Sequence, residues 1–273
     1  MNYIATRDKS RLYVKDWGTG TPVILIHGWP LSADSWDDQA VAIANAGYRA
    51  IAYDRRGFGR SSQPWIGYDY DTLSDDLAEV IAHTGADDAI IVGFSMGGGE
   101  VARYMSRHAG RCVSKAALVA SILPFRLQTQ DNPAGTPQSA FDDTAAALNE
   151  DRAKFFTGFF NKFFGVADGA QPVSHELLRW AHGIAMQAGL KSTIECMRSF
   201  SGTDFRRDLA SFKVPTLIIH GTEDKIVPID ASGRIAVKGI ADAKLIEYQG
   251  APHGLFATHK DRFSRDLIEF IRG

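Results

Sequence analysis

A chain of 273 residues with 45% apolar and 23% charged side chains has an ordinary globular make-up, which excludes disordered and fibrous classes. Its 30 Lys and Arg against 32 Asp and Glu leave a formal charge of −2, too little positive charge to bind phosphates, so no nucleic-acid partner is expected. No apolar run approaches the roughly 18–20 residues of a membrane helix, and the opening ten residues lack the apolar core of a signal peptide; a cytoplasmic protein without membrane contact is expected.

The first two segments, Asn2–Thr6 and Arg11–Trp17, read as an antiparallel pair at a sheet edge. Apolar runs then recur: Pro22–His27, Tyr48–Asp54, Ala89–Gly93, Lys115–Ala120, Val214–His220 and Lys244–Tyr248. Being nearly continuous rather than alternating, they suit strands covered on both faces of a parallel sheet. Segments of helical period lie between them, at Asp34–Ala46, Thr72–His83, Gly97–His108 and Ile229–Lys238, and His259–Arg272 closes the chain. Alternating strand and helix predict an α/β fold, a mostly parallel central sheet flanked by helices.

One stretch breaks the rhythm. From Pro124 to Phe205 no buried strand is legible, and the segment is too long for a plain loop, so a helical insertion is expected. The chain therefore divides into a split catalytic domain, 1–123 with 206–273, and a helical cap at 124–205. Within the cap, Phe155, Phe156, Phe159, Phe160, Phe163 and Phe164 put six rings on one broad helix face. Such a stripe is first of all core; some of its rings lining a ligand pocket is the alternative. Cys112 and Cys196 have neither metal-site spacing nor disulfide density and read as reduced thiols.

The sharpest chemical signal is Gly93-Phe-Ser95-Met-Gly97, placed between a strand and a helix as a G-x-S-x-G nucleophile elbow requires. A sharp strand-to-helix turn holds the serine in a strained conformation, and side chains at Gly93 and Gly97 would collide across it. Two phosphate-binding readings fail. Gly99 and Glu100 occupy the places of the Lys and hydroxyl of a P-loop. Gly57-Phe-Gly59 has Ser62 where a dinucleotide fingerprint has its third glycine, and no helix follows.

A serine needs a base to remove its proton and a carboxylate to orient that base. After the strand ending at His220 comes Gly221-Thr-Glu223-Asp224, and after the strand ending at Tyr248 comes Gln249-Gly-Ala-Pro-His253. Asp224 is preferred to Glu223 for its shorter side chain. His253, in a loop after a strand, is preferred to His83, His108 and His259 on helices and to His175 and His182 in the insertion. The oxyanion donors expected are the backbone N–H groups of Met96 and of Trp29, in the early loop His27-Gly28-Trp29-Pro30. His27 and Gly28 are expected to shape that loop rather than to react.

Taken together, His27–Pro30, Asp54-Arg-Arg-Gly-Phe-Gly-Arg-Ser61, Gly93–Gly98, Asp131-Asn-Pro-Ala-Gly135 and Ala251-Pro-His-Gly254 resemble one branch of the α/β-hydrolases. That branch is the cofactor-free haloperoxidase/perhydrolase and aryl-esterase group, which includes lactamases. The resemblance implies the α/β-hydrolase fold, Ser95, Asp224 and His253 as catalytic triad, and no metal or cofactor. It also implies small esters as substrates, with water or hydrogen peroxide as acyl acceptor, and often a homo-oligomer. Proline at position 30 is associated there with perhydrolysis, its neighbour's carbonyl holding peroxide against the acyl-enzyme; a merely stiffened loop is the alternative. A lactam or amide hydrolase with the same triad, and a non-catalytic binding protein of this fold, are the competing functions. The near-neutral composition suggests small, largely uncharged acyl substrates.

Overall fold

The computed structural model describes residues 2–167 and 170–273. Its eight strands are β1 (Tyr3–Ala5), β2 (Arg11–Gly18), β3 (Pro22–Ile26), β4 (Arg49–Tyr53), β5 (Ala89–Phe94), β6 (Val113–Val119), β7 (Thr216–Gly221) and β8 (Ala243–Tyr248). They form one sheet in the order β1-β2-β4-β3-β5-β6-β7-β8. β1 pairs antiparallel with β2, and β2 with β4; every later pairing is parallel. Every residue of β3, β5 and β7 is buried, as their unbroken apolar runs require, whereas the edge strand β8 is largely half-buried.

Nine helices accompany the strands among the described residues: α1 (Asp37–Asn45), α2 (Tyr70–Thr84), α3 (Met96–Arg107), α4 (Gln138–Phe164), α5 (His175–Gln187), α6 (Leu190–Gly202), α7 (Gly233–Gly239), α8 (Leu255–Thr258) and α9 (Lys260–Arg272). Strand order reverses between β3 and β5, since β3 is followed by β4 on one side while β5 lies on the other. Right-handed crossovers then send α1 to one face and α2 with α3 to the opposite one. The loops leaving β3 and β5 diverge at this point and open a crevice at the carboxyl ends of the strands, where α/β sheets bind ligands.

Local chemistry moves several boundaries. Asp69 begins α2 earlier than the periodicity suggested, its carboxylate accepting the Thr72 N–H at 2.9 Å, and Gly85 ends it in the left-handed region. The expected Asp34–Ala46 helix is a 3₁₀ turn, Ala33–Trp36, running into α1. Ile229–Lys238 is broken at Ser232, whose φ of −142° and ψ of −93° leave the helical region. The single turn α8 was not legible at all.

Between β6 and β7 stand α4, α5 and α6. α4 is interrupted at Asp151 (φ −153°, ψ 88°), which caps its second half by accepting the Lys154 N–H at 2.9 Å. Phe156, Phe160, Phe163 and Phe164 are buried, and their rings join one contiguous core with the sheet. Phe155 and Phe159 are only partly buried and border a cavity, so the stripe is core on one side and cavity wall on the other. No helix among the described residues is long and apolar enough to cross a membrane.

Candidate active site

Ser95 closes β5 and caps α3, with φ 52° and ψ −115°. That conformation is unfavourable for any residue with a side chain and persists only because the surroundings fix it. The Ser95 N–H donates to the Val119 carbonyl of β6 at 2.8 Å, and Gly98 N–H donates back to the Ser95 carbonyl at 3.0 Å. A Cβ at Gly93 would lie 2.5 Å from the Gly97 carbonyl oxygen, so that collision is the one foreseen. A Cβ at Gly97 would instead meet the Ile26 carbonyl oxygen of β3 at 2.5 Å, which locks the elbow to the neighbouring strand.

The loops after β7 and β8 bring the other two groups to the serine. His253 Nε2 lies 2.9 Å from Ser95 Oγ, and His253 Nδ1 lies 2.6 Å from Asp224 Oδ2. All three side chains are buried. Glu223 is exposed and has no part in this chain of contacts, although its N–H donates to the Ala251 carbonyl at 3.1 Å and ties the two loops together. The other Asp224 oxygen accepts the N–H groups of Ile226 and Val227 at 2.9 and 2.8 Å. Burial would raise the Asp224 carboxyl, but the charge of His253 and hydrogen bonds from His220 and His253 outweigh it and hold Asp224 well below the usual carboxylate range. Asp224 is thus ionised, and its acceptance of Nδ1–H leaves the Nε2 lone pair facing Ser95 Oγ.

Across the crevice, the backbone N–H groups of Trp29 and Met96 have no hydrogen-bond acceptor among the described residues. Gly28 lets the first loop approach the elbow: a Cβ there would stand 2.6 Å from the Phe94 ring and 3.0 Å from Ser95 Cβ. Pro30 is buried, and the Trp29–Pro30 peptide is cis. His27 braces the loop from beneath. Its Nε2 accepts the Arg55 N–H at 3.0 Å, its Nδ1–H donates to the Gly28 carbonyl at 2.9 Å, and Arg55 Nη2 donates to its carbonyl at 2.6 Å. Burial first, and the Arg55 charge second, push the His27 imidazole well below its ordinary pKa, so it stays neutral. Arg55 in turn pairs with buried Glu100 on α3, which also accepts the Tyr53 hydroxyl at 2.5 Å. The glycine-rich segment after β4 is therefore a buttress, consistent with the failure of its nucleotide-binding reading.

Several residues that shape the site were not singled out from the sequence. His220, at the end of β7, places Nε2 2.8 Å from the Val227 carbonyl and 3.3 Å from Asp224 Oδ2; its position four residues before the acid was the available signal. Phe94 and Phe163 flank His253, with ring centroids 5.1 and 4.9 Å from the imidazole. Phe163 had been read only as one member of a stripe. Trp29 reaches from the sheet into the insertion, its indole N–H donating to the Thr193 carbonyl of α6 at 2.9 Å and its ring meeting Phe155, Phe156, Phe159 and Phe200 edge-on. His182, by contrast, faces the Ala153 carbonyl at 2.9 Å, within the insertion. Cys196 is buried, which pushes its thiol up to about 12, and Cys112 is also unpaired.

A strand-elbow-helix serine at the switch point of such a sheet defines the α/β-hydrolase class, and the family model described as alpha/beta hydrolase fold matches residues 21–260. The chain belongs to that family. It is 40% identical over 273 residues to a non-heme chloroperoxidase of Kitasatospora aureofaciens, covering 99% of each chain. It is 39% identical over 277 residues to a bifunctional esterase/perhydrolase of Acinetobacter calcoaceticus, covering 100% of each. The solved bromoperoxidase of Bacillus anthracis superposes with a TM-score of 0.96 at 41% identity, again over the whole of both chains.

Proposed function

We propose that the protein is a serine hydrolase of small carboxylic esters that also forms peracids when hydrogen peroxide replaces water. The observation that carries this reading is the unbroken hydrogen-bonded relay from Asp224 through His253 to Ser95 Oγ, beside two free backbone donors. The relatives' esterase, perhydrolase and chloroperoxidase activities support it.

In the first half-reaction, Ser95 Oγ attacks the ester carbonyl carbon as its proton passes to His253 Nε2. The negative charge of the tetrahedral intermediate falls on the carbonyl oxygen, to which Trp29 and Met96 N–H donate; such donors are each worth roughly 10²–10³ in rate. Asp224 stabilises the imidazolium without taking its proton. The bond to the alkoxide leaving group then breaks, and His253 returns the proton so that it departs as the alcohol. In the second half, water or hydrogen peroxide loses a proton to His253 and attacks the acyl carbon. The Ser95 ester bond breaks, the serine recovers its proton, and a carboxylic acid or a peracid leaves. A peracid oxidises halide in solution while being reduced to the acid, which accounts for halogenation by the same residues.

We place the unit that selects substrates in residues 124–205, acting as a cap over the split catalytic domain of 1–123 and 206–273. What supports this is that Phe163, Phe159 and Thr193, all from that segment, stand against His253 and Trp29. Ser95→Ala should abolish both p-nitrophenyl acetate hydrolysis and peracetic acid formation with an unchanged urea midpoint; retained turnover would refute the reading. Pro30→Leu should lower the ratio of peracid formation to hydrolysis, and an unchanged ratio would reduce Pro30 to loop stiffening.

A further inference from the structure

Near the site a half-buried arginine stands without an ionic partner among the described residues. Arg126 follows β6 and reaches the loop that carries Asp224, where its Nη2 donates to the Ile226 carbonyl at 2.9 Å. That is the side chain's one protein hydrogen bond among the described residues, and its Nε is shut off from solvent with no acceptor. Arg126 is half-buried, whereas the two fully buried arginines among the described residues are paired, Arg55 with Glu100 and Arg56 with Asp76. Burial lowers the Arg126 guanidinium, and the only charge that counters this is Asp224, which is already committed to His253. A shielded donor without a partner is destabilising and uncommon, so the Arg126 Nε lacks an acceptor that the described residues do not provide.

Arg126 forms part of the wall of a cavity of about 750 Å³ that runs between the Asp224 loop and the insertion. Ser95 is not in that wall; the cavity meets the active site across Trp29 and across Ile226 and Pro228. Phe141, Phe155 and Phe159 supply an apolar surface. The charged residues around it are four cationic, Arg126, Lys154, Lys162 and Lys225, against two anionic, Glu150 and Asp151. None of the three lysines has a carboxylate partner among the described residues, and Asp151 is engaged with the Lys154 backbone. This excess of positive charge attracts anions, although the three lysines are exposed and solvent screens them.

We propose that Arg126 is the anchor of an anion subsite, and that the preferred substrates are esters carrying a carboxylate a few atoms from the scissile bond. A planar guanidinium with unused donors matches a carboxylate in shape as well as charge, and the phenylalanine surface accommodates the methylenes between the two groups. This rests on the ester-hydrolase reading above. It departs from the expectation of uncharged substrates because the charge of a whole chain does not report the charge of one cavity.

The test compares monomethyl glutarate with dimethyl glutarate, which share an acyl chain and differ in the free carboxylate, and adds acetoxyacetate with its methyl ester to place the charge on the alcohol side. The expected result is a higher kcat/KM for at least one charged ester over its neutral partner, reduced roughly 10- to 100-fold in Arg126→Met and Arg126→Gln. Neutral-ester turnover should stay within about twofold in the glutamine variant, which can still donate to the Ile226 carbonyl. Equal losses on charged and neutral esters would mean that Arg126 only holds the Asp224 loop, and would overturn the subsite. Titration calorimetry of glutarate into Ser95→Ala reads binding without turnover. If no ester is hydrolysed, the hydrolase reading fails while this binding still decides Arg126. Glutarate binding should vanish in Ser95→Ala/Arg126→Met. No binding by the parent, unchanged binding in the double variant, or bromide competing as strongly as a second carboxylate would overturn the proposal.

Discussion

The loops at the carboxyl edge of the sheet and the helices between β6 and β7 build adjoining parts of one crevice by different means. Around Ser95, each group is fixed by backbone: a positive φ, glycines that admit neighbouring carbonyls, and amides aimed at Asp224. Around the cavity, the wall is made of side chains from a kinked helix and from the segment after β6, held by aromatic packing. The first construction fixes a reaction, because small displacements there remove a hydrogen bond that the transition state needs. The second, in the function proposed above, sets which substrate arrives, and it touches the first through Phe163 against His253 and Arg126 against the Asp224 loop.

That contrast can be broken from the sheet side by Asp224→Asn. The amide cannot hold the imidazole in the required tautomer, so kcat should fall on the order of 10³–10⁴-fold for every ester alike. Steady-state kinetics on esters of different acyl length checks this; a loss confined to some substrates would show that the two regions are not separate in role.

Trp29→Phe probes the joint between them. It leaves the Thr193 carbonyl without its donor, which should cost about 1 kcal/mol in urea unfolding, and it loosens the residue whose N–H faces the oxyanion. A kcat lowered severalfold with KM little changed is the expected outcome. Lost stability with unaltered kcat would show that the sheet loop holds itself.

The smallest effect concerns the buttress. His27 is neutral in the fold, its pKa depressed well below the ordinary value of 6.5, so the unfolded chain binds a proton there that the native state does not. Its contribution is therefore present above about pH 6.5 and lost as pH falls, by up to about 1.4 kcal/mol per pH unit. His27→Gln should be less stable at pH 7 yet show a flatter decline in urea midpoint toward pH 5. Parallel declines in the two proteins would contradict the assignment.

Much of the sheet region was legible because its determinants are local. Unbroken apolar runs mark the strands β3, β5 and β7, and the elbow carries its own reason for Gly93, whereas Gly97 is required by the close approach of β3. The loops that supply Asp224 and His253 follow strands in the Ser, acid, His order of the α/β-hydrolases that the motifs resemble. The insertion was legible only as helical. Which faces of Phe155–Phe164 meet His253 or the cavity depends on the break at Asp151 and on the packing of α4 against α6, which no short window of sequence contains. Arg126 was passed over for the same reason: a single arginine after a strand is unremarkable until the tertiary structure leaves it without a carboxylate. His220 shows the limit within the sheet itself, since its approach to Asp224 follows from the turn at 221–224 rather than from strand periodicity.

In the proposed mechanism, catalysis passes through an ester on Ser95. Rapid quenching of the protein during turnover of p-nitrophenyl acetate, followed by peptide mass mapping, traps that ester. An acetyl group on Ser95 should accumulate before steady state and be absent from Ser95→Ala. Full turnover with no acetyl group at Ser95, or with acetylation at another residue that the alanine variant retains, would contradict the mechanism.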